Sequence, residues 1–153
     1  MSLAIHGILV LCEGNHCRSP IAEALLRAGL GDRIQVRSAG LRALIDHPAH
    51  AESERLMAEQ GLDISGHRGR QLTPDLALGA DLILVMDLAQ KAACERLVPS
   101  ARGRVYLLGH WLPPGEQQIA DPIGGPPEDH ARARDHIRQA LQPWLARLKP
   151  AGK

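Results

Sequence analysis

Hydrophobic runs alternate along the chain with segments of helical periodicity. Ile5–Leu11 is a near-continuous apolar run, typical of a parallel strand covered on both faces. Ser19-Pro20 then supplies a helix cap and a first-turn proline, and apolar residues at helical spacing follow as far as Gly29 or Gly31. The alternation of Ile34–Ser38 predicts the next strand.

The rest of the chain continues this order of elements. The predicted elements are a helix over about 49–60 ended by Gly61, a strand over Asp81–Met86, a helix over Gln90–Leu97 and a strand over Arg104–Leu108. Pro113–Pro127 holds five prolines and three glycines, which predicts a loop. The last helix is predicted over about Asp129–Leu148, with a kink at Pro143.

Alternating strands and helices predict an α/β fold. With 153 residues, the chain suits a single domain spanning 1–153, with its core at about 5–148. The four predicted strands would form a parallel sheet with helices on both faces. In such sheets, ligands bind at the carboxyl ends of the strands, where the strand order reverses. The residues that follow Leu11 are therefore the first place to look for a site.

Composition excludes several classes of function. Aromatic residues are 2% of the chain and the net charge is +1, so a general nucleic-acid binder is not expected. No apolar run approaches the roughly 18 residues of a membrane span. Three cysteines do not suit a secreted disulfide scaffold, so we expect a cytoplasmic protein with thiols available for chemistry.

Cys12–Pro20 has the pattern C-x5-R-S-P between a buried strand and a helix. A tight loop at a helix N-terminus turns backbone N–H groups inward and adds the positive end of the helix dipole, which suits a tetrahedral oxyanion. We expect Gly14 to allow an unusual backbone angle and the planar fork of Arg18 to clamp two oxygens. The predicted phosphate-binding residues are Glu13, Gly14, Asn15, His16, Cys17, Arg18 and Ser19.

Cys12 is the predicted nucleophile of this loop, since the helix dipole and Arg18 favour its ionised thiolate. Two alternatives stay open. Cys12 could be a small buried hydrophobe at a strand end. Cys12, His16 and Cys17 could instead bind zinc, although the spacing is unusual and no fourth ligand is evident. We expect neither a metal nor a cofactor.

Asp121 is the candidate proton donor. A phenol has a pKa of about 10, so a phenolate leaving group needs a proton near pH 7. Asp121 lies in the loop rich in proline and glycine, and Pro122 restricts it to extended geometry. The alternative is an ordinary Asp-Pro turn.

The sequence resembles the low-molecular-weight protein tyrosine phosphatases, over about residues 5–148. The motifs that carry the resemblance are Cys12–Pro20, Ser38-Ala39-Gly40, Gly66–Leu72, Leu82–Asp87, Gly109-His110-Trp111 and Asp121-Pro122. The likeness is greatest to bacterial members that act opposite the tyrosine autokinases of capsule and exopolysaccharide export. It implies a flavodoxin-like topology and the acid role for Asp121. It also implies that Asn15, Ser19, Ser38 and His67 brace the loop by hydrogen bonds.

The expected function is hydrolysis of phosphotyrosine in proteins through a cysteinyl-phosphate intermediate. The expected partner is a phosphotyrosine protein, with a bacterial tyrosine autokinase as the candidate, and the expected state is a monomer or weak dimer. The alternatives are a phosphoarginine phosphatase, an arsenate reductase of the same fold and a non-catalytic phosphoprotein-binding module. Arsenate reduction uses further downstream cysteines, and only Cys94 is present here, as a predicted inert core residue.

Four features depart from the resemblance or add to it. Ile123-Gly124 follows Asp121-Pro122 where many members have aromatic residues, so Leu41, Leu44, Ile123, or Trp111 if it reaches the mouth, would have to form the substrate slot. His16 replaces a residue that is often aliphatic, and Glu13 adds negative charge at the rim. Cys17 could trap an oxidised Cys12 as a reducible disulfide.

Overall fold

The computed structural model describes residues 3–152 and gives that part of the chain six strands and five α-helices. The strands are β1 (Leu3–Ile5), β2 (Gly7–Cys12), β3 (Gln35–Gly40), β4 (Leu82–Val85), β5 (Val105–Leu107) and β6 (Leu148–Pro150). The helices are α1 (Arg18–Leu30), α2 (Ala51–Glu59), α3 (Pro74–Leu78), α4 (Leu88–Leu97) and α5 (Pro127–Arg147).

The central sheet has four parallel strands in the order β3-β2-β4-β5, which confirms the predicted sheet. The chain runs from β2 to β3 on one side of β2 and then crosses to β4 on the other side. The strand order therefore reverses at β2. The carboxyl end of β2, at Cys12, lies at the place where an α/β sheet binds its ligand.

Helices cover both faces of this sheet, as predicted. On one face, Ile8 and Val10 of β2 pack with side chains of α1 and α5, among them Leu26 and Trp144. On the other face, Leu9 and Leu11 pack with side chains of α3 and α4, among them Ala77 and Cys94. All six residues of β2 are buried, which explains why its sequence reads as an unbroken apolar run.

The two ends of the described chain form a second, two-stranded sheet that the sequence analysis did not predict. The predicted strand Ile5–Leu11 is wrong as a single element, because the chain leaves the main sheet at His6 and β1 pairs in parallel with β6. The N–H of His6 is taken by the carboxylate of Asp81 rather than by a neighbouring strand. The predicted last helix is also wrong at its end, since Leu148 belongs to β6.

The first residues of helices α1 and α5 differ from the predicted ones, and helix α3 was not predicted. Helix α5 begins at Pro127 rather than Asp129, since a proline fits the first turn without needing its missing N–H. It continues through Pro143 to Arg147. Helix α3 was missed because five residues are too few to show a period, although Thr73 caps it through its side chain. Helix α1 begins at Arg18, with Cys17 at the cap position, instead of being capped by Ser19.

Residues 113–126 contain no helix or strand, so the predicted loop is confirmed. Within residues 3–152, none of the helices has both the length and the apolar character needed to cross a bilayer.

Candidate active site

The loop from Cys12 to Cys17 connects the carboxyl end of β2 to the N-terminus of α1. Its carbonyl oxygens accept hydrogen bonds from the segment that follows β3. The N–H groups of Leu41, Arg42 and Leu44 donate to the carbonyls of Cys12, Glu13 and Gly14 at 3.1, 2.8 and 2.9 Å. In residues 3–152, no protein acceptor takes the N–H groups of residues 13–17, so this loop presents donors to a ligand. That arrangement at a helix N-terminus binds oxyanions.

Asn15 supplies the unusual backbone angle of this loop, and the expectation for Gly14 is wrong. Asn15 has φ 53°, in the left-handed region, whereas Gly14 is not among the residues with positive φ. Asparagine tolerates this region better than most residues. Glycine is instead required at Gly40, where an added Cβ would lie 2.8 Å from the backbone nitrogen of Asn15.

The side-chain amide of Asn15 is buried, and both its nitrogen and its oxygen are hydrogen-bonded. Its Nδ2 donates to the Oγ atoms of Ser19 and Ser38, at 2.8 and 2.9 Å, and its Oδ1 accepts from the N–H of Arg70 at 2.9 Å. The hydroxyl of Ser38 in turn donates a hydrogen bond to the carboxylate of Glu23. The structure therefore brings together Asn15, Ser19 and Ser38, three of the four residues expected to brace the loop.

His67, the fourth of those residues, reaches the loop through its ring. Its Nε2 lies 2.8 Å from the carbonyl oxygen of Asn15, and a carbonyl can only accept, so the ring donates from Nε2. This bond stabilises the same residue whose φ is positive. Glu23 and Arg70 were not predicted, because their partners Ser38 and Asn15 lie 15 and 55 residues away from them in the sequence.

Cys12 lies at the base of the loop with its Sγ 3.0 Å from the Oγ of Ser19. Because Ser19 already accepts from Asn15, its own hydroxyl proton is free to point at the sulfur. A hydroxyl donor favours the anionic form of a thiol. The contact does not suit the alternative of an inert apolar cysteine.

Arg18 is buried at 3% exposure and connects the loop to the distant Asp121 segment. Its Nη1 donates to the carbonyl of Ile119 at 2.7 Å, and its Nη2 lies 3.5 Å from Oδ2 of Asp121. The carboxylate of Asp121 is 41% exposed and also accepts the N–H of Ile123. A carboxyl group thus stands at the rim of the loop, half in solvent, where a proton donor is expected.

Cys17 and His16 differ from Cys12 in their surroundings. Burial raises the pKa of the Cys17 thiol to about 12, with the charges of Asp121 and Cys12 adding to the effect and Arg18 opposing it. The pKa of His16 is lowered, mainly by burial. The ring centroids of His16 and His50 are 5.3 Å apart, and the ring of His50 stacks on that of His130 with a centroid distance of 4.4 Å.

The side chains at the mouth match the expected slot only in part. Leu44 lies beside Gly14, and Ile123 next to Asp121 is 54% exposed. Leu41 packs mainly against the core. Trp111 instead packs on Trp144 and under the guanidinium of Arg147, next to β1 and β6, so the expectation that it could form the slot is wrong. Glu13 is paired with Arg42 at 3.5 Å, which partly neutralises its charge at the rim.

Comparison with known proteins gives consistent matches over almost the whole chain. The sequence model of the family described as low molecular weight phosphotyrosine protein phosphatase matches residues 7–153. The chain is 43% identical over 149 residues to the probable low molecular weight protein-tyrosine-phosphatase EpsP of Ralstonia nicotianae, covering 97% of this chain and 99% of that protein.

Solved structures agree with the sequence comparison. The crystal structure of the tyrosine phosphatase Wzb from Escherichia coli K30 in complex with sulphate matches with a TM-score of 0.87 and 39% identity, covering 93% of this chain and 97% of that one. The YwlE arginine phosphatase from Geobacillus stearothermophilus matches with a TM-score of 0.84 and 31% identity, covering 92% and 91%. With the loop from β2 to α1 in place, these matches show that the chain belongs to the low molecular weight phosphotyrosine protein phosphatase family.

Proposed function

We propose that the protein hydrolyses phosphotyrosine in proteins through a phosphocysteine formed at Cys12. The observation that carries the proposal is the loop between β2 and α1. Within residues 3–152 its N–H groups have no protein acceptor, and its base holds a cysteine contacted by a hydroxyl donor. Such a loop binds a phosphate and places a nucleophile against it. Arg18 adds a buried positive charge beside Asp121.

In the first step, Sγ of Cys12 attacks phosphorus and the bond from phosphorus to the tyrosine oxygen breaks. Asp121, in its acid form, gives its proton to the departing phenolate. The loop N–H groups and Arg18 hold the charge on the three remaining phosphate oxygens as the bond changes. Ser19 stabilises the sulfur when it is an anion, before attack and after release.

In the second step, water attacks the phosphocysteine. Asp121, now a carboxylate, takes a proton from that water, and the bond between sulfur and phosphorus breaks to release inorganic phosphate. One group serves as acid and then as base because each step leaves it in the form that the next step needs. Asp121 is suited to both, since its exposed side chain has access to water as well as to the loop.

The proposed substrate is a protein phosphorylated on tyrosine, with a bacterial tyrosine autokinase of capsule or exopolysaccharide export as the partner. The motif resemblance and the likeness to EpsP and Wzb support this proposal. Leu44 and Ile123 would contact the phenol ring as an aliphatic slot. Such a partner presents its phosphotyrosine inside the cell, so we place this protein in the cytoplasm.

Phosphoarginine is the second candidate substrate. The likeness to an arginine phosphatase supports it, as does the polar His16 in the loop. The two substrates differ in their leaving groups, so the protein is best tested on phosphotyrosine, phosphoarginine and phosphoserine peptides of one sequence. We expect the highest kcat/KM on phosphotyrosine, and a preference for phosphoarginine would replace the proposal by its alternative.

Cys12→Ser is the decisive variant, with Cys94→Ala as the control at a cysteine remote from the loop. We expect Cys12→Ser to abolish hydrolysis of para-nitrophenyl phosphate while still binding tungstate, since the cradle of N–H groups remains. Turnover near that of wild type in Cys12→Ser would refute the nucleophile. A wild-type protein that binds tungstate without turnover would be a phosphoprotein-binding module, and arsenate-dependent thiol consumption would indicate a reductase.

A further inference from the structure

A group of metal-binding atoms lies beside the phosphate loop. The Sγ of Cys17 and one ring nitrogen each of His16 and His50 lie within 4.8 Å of one another. In a tetrahedral zinc site, bond lengths of about 2.0–2.3 Å place neighbouring ligand atoms roughly 3.4–3.6 Å apart. The three side chains therefore need to close by about 1 Å to bind one ion. One thiolate with two imidazoles is a donor set that suits zinc.

A hydrogen bond to the backbone sets the tautomer of His16. Its Nδ1 lies 3.0 Å from the carbonyl oxygen of Pro48, which can only accept, so the neutral ring carries its proton on Nδ1. The lone pair is then on Nε2. Metal-binding histidines commonly donate the opposite ring N–H to a backbone carbonyl in this way, which fixes the ring and its tautomer.

His50 is held in place by three contacts. Its ring stacks on the buried ring of His130, and its Nδ1 accepts the N–H of Glu52, which caps helix α2. Its backbone N–H also donates to the carbonyl of His16 at 2.9 Å. If Nδ1 binds the metal, it can no longer accept the N–H of Glu52. If Nε2 binds the metal, the ring proton moves to Nδ1, which again cannot accept, so the capping bond is lost in both cases. Metal binding is therefore coupled to the N-terminus of α2.

We propose that His16, Cys17 and His50 bind one zinc ion, with water in the fourth position. Zinc replaces the thiol proton of Cys17, which is released to solvent, and a bond from sulfur to zinc forms. The site differs from the zinc site considered from sequence, because it uses His50 and leaves Cys12 with Ser19. It does not depend on the proposed phosphatase activity. While occupied, it prevents Cys17 from forming a disulfide with Cys12.

Cobalt(II) is the probe that tests the proposal, because its bond to a thiolate gives a charge-transfer absorption band and zinc should displace it. We expect the band in wild type, in Cys12→Ser and in Cys94→Ala, and its loss in Cys17→Ser. His50→Asn is the matched variant, since asparagine still caps α2 but does not ligate well; we expect its zinc affinity to fall at least about tenfold.

His16→Gln provides a second variant should Cys17→Ser fail to fold, as checked by circular dichroism, and its zinc affinity should fall to a similar extent. A band that disappears in Cys12→Ser but persists in Cys17→Ser would overturn the proposal by placing the metal on the nucleophile. Unchanged zinc affinity in both His50→Asn and His16→Gln would overturn it as well, as would the absence of any band in wild type.

Discussion

Asn15 stabilises the loop through both its backbone and its side chain. Its left-handed φ turns the chain, its carbonyl is bound by His67, and its amide joins Ser19 to Ser38. An isolated residue in this conformation costs free energy that its surroundings must offset. Here the offset comes from buried hydrogen bonds, so the loop is already shaped before a phosphate binds. Such preorganisation lowers the cost of binding a transition state.

An added methyl group should be far more damaging at Gly40 than at Gly14. In Gly40→Ala the new Cβ meets backbone atoms of residues 13–15 at 2.8–2.9 Å, so the loop must move. We expect a loss of about 1–3 kcal/mol in the free energy of unfolding and at least about a tenfold loss in kcat/KM. In Gly14→Ala the nearest contact is an ordinary 3.6 Å, so stability should change by less than about 1 kcal/mol. Urea unfolding of both variants tests this contrast, and equal destabilisation would contradict it.

Asp121→Asn should separate substrates by their leaving groups. Asparagine keeps the shape of Asp121 but has no proton to give, so the cost should grow with the basicity of the phenolate. We expect the single-turnover rate of the first step to fall by about 10²–10⁴ on a phosphotyrosine peptide and by far less on para-nitrophenyl phosphate. Single-turnover rates on the two substrates provide the measurement. Equal slowing would argue against Asp121 as the acid.

Cys17 should form a disulfide with oxidised Cys12 only slowly at neutral pH. Peroxide converts the Cys12 thiolate to a sulfenic acid, and attack by the Cys17 thiolate then forms the disulfide and releases hydroxide. Because the pKa of Cys17 is about 12, its thiolate fraction rises about tenfold per pH unit below that value. The rate of disulfide formation from sulfenic Cys12, followed by mass spectrometry between pH 6 and 9, should rise accordingly. A rate that is flat with pH, or sulfonic acid as the only product, would reject this role.

Among the elements, the junction between β1 and β2 is held by a side chain. One carboxylate oxygen of Asp81, just before β4, accepts the N–H groups of both His6 and Gly7, at 2.6 and 3.1 Å. The chain can therefore leave the main sheet at His6 without leaving these donors unpaired. This lets β1 reach β6 and bring the end of α5 back to the start of the chain.

Asp81→Asn should cost stability only where the carboxyl group is ionised. The backbone N–H groups of His6 and Gly7 hold the pKa of Asp81 below its ordinary value of 3.8. A lowered folded-state pKa means that the stabilisation is present above 3.8 and is lost as pH falls through the folded value. We expect wild type to be more stable than the variant by urea unfolding at pH 6, and the difference to shrink below pH 4. A difference that does not change with pH would contradict the charge as its source.

For the molecule as a whole, the loop is positioned by segments distant in sequence. Residues 41–44 bind its carbonyls, 67–70 bind Asn15, and Ile119 binds Arg18. Ile119 in turn donates its N–H to the carbonyl of Met86, the residue that follows β4. The geometry of the loop thus depends on these distant segments, and none of these contacts involves the side chains around Trp144.

Trp144→Phe tests that independence. The Nε1 of Trp144 donates to the buried carbonyl of Leu108 at 2.8 Å, and its ring packs with Tyr106, His110 and Trp111, away from the loop. Leaving that carbonyl unpaired should cost about 1–3 kcal/mol in the free energy of unfolding. We expect kcat/KM to be unchanged at a temperature where both proteins are folded. A fall in kcat/KM without unfolding would show that the two sides are coupled.

The sequence by itself determined the features that depend on residues close together in the chain. These are the buried strand, the helix after it and the C-x5-R loop between them, because burial and capping leave periodic or short-range patterns. Tertiary structure alone decided that β6 pairs with β1, that Glu23 and Arg70 complete the network of Asn15, and that Asp121 stands beside Arg18. It also decided that Gly40, rather than Gly14, is the glycine that steric contact requires. Such contacts join residues that are far apart in the sequence and that only the path of the folded chain brings together, so no local sequence pattern predicts them.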